Sequence, residues 1–168
     1  MHNPSTFLSI RQISKEGISF TVDIQVAKMS KIVENTIDED DGEDHEIQLP
    51  NVKSAVLAKV IEYCEYYQTN EMTPITTPLK SSKLEDMVQP FYTDFCKVDK
   101  NMLCELVTAA NFMDIKPLLD LTCLAVSIMI KGKPADELRA MFNLSSEFSP
   151  EEEAAVREEN KWAVQPPP

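Results

Sequence analysis

The stretch from Lys116 to Ile130 constrains this chain more than any other, because as a helix it is apolar nearly all round. Leu118, Leu119, Thr122, Cys123, Val126, Met129 and Ile130 fall on one side, and Leu121, Leu124, Ala125 and Ile128 on much of the other. Such a helix needs cover on both sides. In a chain of 168 residues the core supplies one cover, and the second side meets either the remaining helices or another protein. Just before it, Ala109-Ala110-Asn111-Phe112-Met113-Asp114-Ile115 closes a preceding apolar helix, and far downstream Asn160 and Trp162 stand among charges. Together these features predict a scaffold with two protein-binding faces.

A 43% apolar and 26% charged composition fits one globular domain with an appendage. The net charge of -12 opposes binding to phosphate backbones and anionic membranes, so neither nucleic acid nor membrane is an expected partner. It favours a basic protein partner instead. No run of about 18 apolar residues is present to span a bilayer, and no basic region followed by an apolar stretch marks a signal peptide. An intracellular protein is expected. Cys64, Cys96, Cys104 and Cys123 are widely spaced in apolar surroundings, which predicts four reduced, buried thiols and no metal site or disulfide framework.

The first element is a strand with period two, Ile18, Phe20, Val22, Ile24 and Val26 alternating with polar residues. Leu8 and Ile10 supply its partner, and Lys15-Glu16-Gly17 the tight hairpin turn. Met29, Ile32, Val33, Thr36 and Ile37 then fit one face of a helix. The acidic run Asp38, Glu39, Asp40, Asp41, Glu43, Asp44 lacks the ligand spacing of a calcium loop and predicts a mobile loop over about 38–46. A short extended piece, Ile47 to Pro50, follows, and Asn51 is positioned to cap a helix with Val56, Val60, Cys64 and Tyr67 on one face.

Over about 69–89 the pattern dissolves into Thr, Pro, Ser and Lys, which predicts a second mobile loop. Its Thr73-Pro74 and Thr77-Pro78 pairs are weak signals for phosphorylation. Phe91, Tyr92 and Phe95 mark the return of order, and Asp99 is placed to cap a helix striped by Leu103, Leu106, Val107 and Ala110. Beyond the long apolar helix, Gly132 is a stop signal and Pro134 a first-turn start, with Leu138, Met141 and Phe142 on the next helix. Ser149-Pro150-Glu151-Glu152 has capping-box spacing. The helix it opens offers only Ala154, Ala155, Val156 and the distal Trp162 for packing, so the tryptophan reads as a partner anchor on a weakly held element.

Leu49-Pro50-Asn51-Val52, Lys97-Val98-Asp99 through Thr122-Cys123, Met129 to Lys133, Phe142-Asn143, Phe148 to Arg157 and Glu159 to Trp162 closely resemble the S-phase kinase-associated protein 1 family. The resemblance covers nearly the whole chain in order. It implies an α+β BTB/POZ fold over 1–131 and F-box-binding helices over 132–162, whereas the tail over 163–168 departs from the family's usual ending and is expected to be disordered. It also implies a non-catalytic adaptor of a cullin-RING ubiquitin ligase, cytoplasmic and nuclear, with no cofactor. Its implied partners are F-box proteins and the N-terminal region of a cullin, through which a RING protein is reached. On residues, it implies cullin binding by Asn111, Phe112 and Met113. F-box binding falls to Leu103, Cys104, Val107, Cys123, Val126, Ile130, Leu138, Phe142, Leu144, Asn160 and Trp162.

Two positions and two stretches depart from the family pattern. Phe112 stands where the family carries tyrosine, keeping the ring and losing the hydroxyl. Cys104 stands where an aromatic is common, and Gly132-Lys133-Pro134-Ala135 replaces the Gly-Lys-Thr-Pro in which some members hydroxylate proline. The tail from Ala163 to Pro168 also differs. An open apolar receptor face predicts self-association, a homodimer, when no F-box is bound. An elongin-C-like adaptor would share the core but end its likeness near Ile130, before the two capped helices. A cysteine hydrolase would need a base beside its thiol, and the histidines are His2 and His45, in a terminus and an acidic loop. With glycine confined to Gly17, Gly42 and Gly132, no phosphate loop exists either.

Overall fold

The computed structural model describes residues 9–39, 46–144 and 148–164. Strands β1 (Ser9–Ile13) and β2 (Ser19–Asp23) form an antiparallel hairpin, with Ile10 opposite Val22, and β3 (Glu46–Gln48) runs parallel to β1 on its other edge. Gly17 takes φ +81° in the turn, the left-handed region that side chains disfavour. The second strand is shorter than its alternation predicts. At Asp23 the carboxylate accepts the Gln25 N–H at 2.8 Å and starts helix α1 (Ile24–Ala27), so Ile24 and Val26 leave the sheet. A local cap overrides the period-two pattern.

Helix α2 (Lys31–Glu39) buries Val33 and Ile37, whereas Ile32 and Thr36 of the expected face are exposed. Asp38 and Glu39 therefore belong to a helix and Glu46 to a strand; the rest of the acidic run lies outside the described residues. Helix α3 (Ser54–Thr69) buries Val56, Leu57, Val60, Tyr63 and Cys64. Asn51 does not cap it. The Glu16 carboxylate of the hairpin turn reaches across and accepts the Ser54 N–H at 2.8 Å, which holds that carboxyl below its ordinary range. This partner, 38 residues away in sequence, is invisible to a local capping rule.

The segment between α3 and α4 (Pro90–Phe95), expected as a loop, is irregular and makes contacts to the core. Met72, Leu84 and Val88 are buried, a 3-10 turn spans Leu84–Asp86, and Gln89 binds both the Thr73 N–H and the Glu71 carbonyl. Tyr63, Tyr66, Tyr67, Phe91, Tyr92 and Phe95 pack as one aromatic cluster, with Tyr66 stacked on Phe91 at 3.7 Å.

Helix α5 (Lys100–Met113) is capped by Asp99, whose carboxylate accepts the Met102 N–H at 2.7 Å, and α6 (Lys116–Ile130) follows after a tight corner. The chain divides into two compact units, Met1–Met129 and Ile130–Pro168. The first holds the sheet, the core and nearly all of α1 to α6. In the second, Gly132 at φ +76° closes α6, Pro134 stands at the N-cap position of α7 (Ala135–Met141), one residue before the predicted first turn and with no side-chain capping bond, and α8 (Pro150–Glu159) carries the capping box: Ser149 Oγ accepts the Glu152 N–H at 3.2 Å and Glu152 accepts the Ser149 N–H at 2.9 Å. Ala163 and Val164 lie in a 3-10 turn over Lys161–Val164 and are not tail; residues 165–168 are outside the described set.

Candidate functional site

One candidate face sits at the corner between α5 and α6. Asp114 adopts φ 52°, and the Ala110 carbonyl accepts the Ile115 N–H at 3.0 Å, so α5 ends abruptly and the chain turns into α6. Asn111 is exposed there and Phe112 is half-buried with one side against the core. Met113, expected to be a partner contact, is 1% exposed and fills the core beside Val22, Val26, Val60 and Cys64. Its side chain anchors the corner from inside. Within a single turn of helix Asn111 faces water and Met113 faces the core, a distinction composition alone does not make.

A second face forms on α5 and α6 within the first unit, apart from Ile130, the last residue of α6, where the second unit begins. Leu119, Cys123, Val126 and Ile130 recur at spacings of four, three and four, which puts them on one side of α6; Cys123 is exposed and the other three half-buried. The buried residues are Leu118, Leu121, Thr122 and Leu124. The division of α6 differs from the expected one, since Leu118 and Thr122 join Leu121 and Leu124 in the core. On α5, Cys104 and Val107 are half-buried and Leu103 is buried. A groove of about 380 Å³ runs beside Leu103, lined by Cys96, Val98, Ala125, Ile128 and Met129 among others. Sequence reasoning assigned none of those five to a site. Val98 and Leu103 occupy the two positions of a hydrophobic staple around the Asp99 cap, a signal that was available.

The second unit carries the remaining residues. Leu138 and Phe142 are half-buried, Leu144 is 61% exposed and Trp162 73% exposed, while Asn160 closes α8 through a bond from its amide to the Val156 carbonyl. Neither α7 nor α8 buries a residue. Charge joins them instead: Arg139 binds Asp136 at 3.0 Å and Glu153 at 3.1 Å, and Arg157 binds the same two carboxylates at 3.1 and 2.9 Å.

The four thiols are free, yet the expectation of uniform burial fails: Cys64 is buried, Cys96 and Cys104 are intermediate and Cys123 is exposed. Burial pushes the Cys64 and Cys96 thiols up to about 12, opposite to the shift that activates a nucleophile. Both histidines lie outside the described residues.

Residues 9–69 match the tetramerisation domain of the Skp1 family and residues 116–163 its dimerisation domain. A Tetrahymena thermophila protein, S-phase kinase-associated protein 1 homolog, is 43% identical over 155 residues, spanning 92% of this chain and 93% of its own length. The chain belongs to the Skp1 family. Two Dictyostelium discoideum members, SCF ubiquitin ligase complex proteins SKP1a and SKP1b, are each 43% identical over 143 residues, covering 85% of this chain and 88% of theirs. The family's POZ portion coincides with the three-stranded sheet, α1, α2 and α3, so the fold is the α+β BTB/POZ fold followed by C-terminal helices. The corner residues Asn111 and Phe112 lie between the two matched portions, and α6 to α8 fall in the second.

Proposed function

We propose that this chain is a non-catalytic adaptor that bridges a cullin scaffold to F-box substrate receptors in an SCF-type ubiquitin ligase. The carrying observation is the pair of α7 and α8, which bury no residue of their own and end on a tryptophan 73% exposed. Elements that weakly self-packed are expected to complete their packing on a partner. The names of the Dictyostelium relatives, which place those proteins in an SCF complex, support the same role. On this reading Asn111 and Phe112 contact the cullin N-terminal region, and Met113 supports them from the core. Leu103, Cys104, Val107, Cys123, Val126 and Ile130 meet the F-box together with Leu138, Phe142, Leu144, Asn160 and Trp162. The elongin-C-like alternative ends near Ile130, and the family match running to residue 163 disfavours it. The adaptor acts in cytoplasm and nucleus, and without an F-box its apolar face pairs with a second copy.

Mixing the purified chain with a cullin N-terminal domain and an F-box peptide tests the role directly. The expected result is one ternary complex on size exclusion. Elution of all three separately would overturn it.

A further inference from the structure

We infer that Ser30 is a positioning residue that locks the α5–α6 corner and so sets the geometry of the proposed cullin-facing pair, Asn111 and Phe112. The inference rests on that reading for its consequence and on hydrogen-bond geometry for its cause. At the end of α5 the Met113 carbonyl lacks its regular helical donor, because the residue four positions on is Pro117, which has no N–H. The Ser30 hydroxyl, 83 residues earlier in the chain, donates to that carbonyl. Ser30 is 1% exposed, so water does not compete for the bond. The same oxygen accepts the Val33 N–H at 3.3 Å, which makes it the cap of α2 as well. A second bond runs alongside, from the Lys31 N–H to the Asp114 carbonyl at 3.2 Å.

A serine hydroxyl has one proton to give and two lone pairs to accept with, and both jobs are filled here. The start of α2 and the end of α5 are therefore one hydrogen-bonded unit. Asn111 and Phe112 precede the anchored carbonyl by two residues and one and sit on the same final turn. Freeing Met113 lets that turn fray and rotates the pair away from a single orientation.

Ser30→Ala, Ser30→Thr and the control Asp99→Ala test the inference in the full chain. Asp99 caps the opposite end of α5, so its loss lowers stability without touching the corner. With Ser30→Ala, amide exchange at Asp114 and Ile115 should quicken and affinity for a cullin N-terminal domain should fall, each by roughly three- to tenfold, the loss expected of one buried hydrogen bond. Affinity for an F-box peptide should stay put, and Ser30→Thr should restore both corner readouts. Unchanged exchange at Asp114 and Ile115 in Ser30→Ala would overturn the latch. An equal loss of cullin affinity in Asp99→Ala would overturn positioning in favour of general stability. A native chain that ignores the cullin while Ser30→Ala still quickens the corner would uphold the latch and defeat the reading of the face.

Discussion

Trp162 is the residue whose exposure most exceeds its chemistry, since a large indole 73% open to solvent contributes little to its own fold. Trp162→Ala should weaken F-box binding by ~2 kcal/mol or more, roughly thirtyfold, the scale of an interface hot spot. The thermal midpoint should barely move, because exposed truncations cost within about 0.5 kcal/mol; an early-melting variant with normal F-box affinity would show that the ring serves the fold. At the corner the two neighbours separate cleanly. Asn111 is exposed, so Asn111→Lys should reduce cullin capture with no loss of stability, while Phe112→Ala should lose cullin capture and also about 1–2 kcal/mol of stability, because half of its ring packs on the core. Calorimetric titration beside urea melts distinguishes the two. Among the thiols, Cys123 should react first with a thiol reagent in the native protein and Cys64 only on unfolding, since one is exposed and the other both buried and held protonated.

At the scale of elements, α7 and α8 illustrate stability drawn from charge and caps in place of a core. Exposed ion pairs contribute little singly, about 0–1 kcal/mol, and screening shortens their reach to ~3 Å at 1 M salt. Amide protection in α8 should therefore fall between 0.05 and ~1 M salt, whereas protection in α3, which buries five residues, should hold. Ser149→Ala should remove about 1 kcal/mol from α8 by breaking the capping box, seen as faster exchange over its first turn. That box, the Asp99 cap and the Gly132 stop were legible in the sequence because each depends on residues three or fewer apart. Asn51 was misleading for the opposite reason: the group that caps α3 is Glu16, brought close by the hairpin. Likewise Asp23 cut β2 short because a side-chain bond two residues long outcompeted the ladder that alternation implies.

For the whole molecule, Tyr63 and Cys64 tie stability to alkaline pH. Burial raises both, Cys64 to about 12, so the folded chain keeps protons that the unfolded chain releases from ~8.5 for cysteine and ~10 for tyrosine. The stabilisation is complete below pH ~8.5 and is lost as pH rises beyond it. Urea midpoints should accordingly be level near neutrality and decline steadily above pH ~9, and a level profile to pH 11 would contradict the burial of these groups. What the sequence by itself determined was periodic or local: the hairpin turn at Gly17, the bounds of α6, the caps of α5 and α8, and, through resemblance, the family. What only the tertiary structure decided was cover. It put Met113 inside while leaving Asn111 outside, exposed Cys123 but buried Cys64, and pinned Met72, Leu84 and Val88 of an apparently featureless loop into the core. Periodicity reports that a side chain has an apolar neighbour to find; which segment arrives to cover it depends on contacts dozens of residues apart, and no local pattern encodes those.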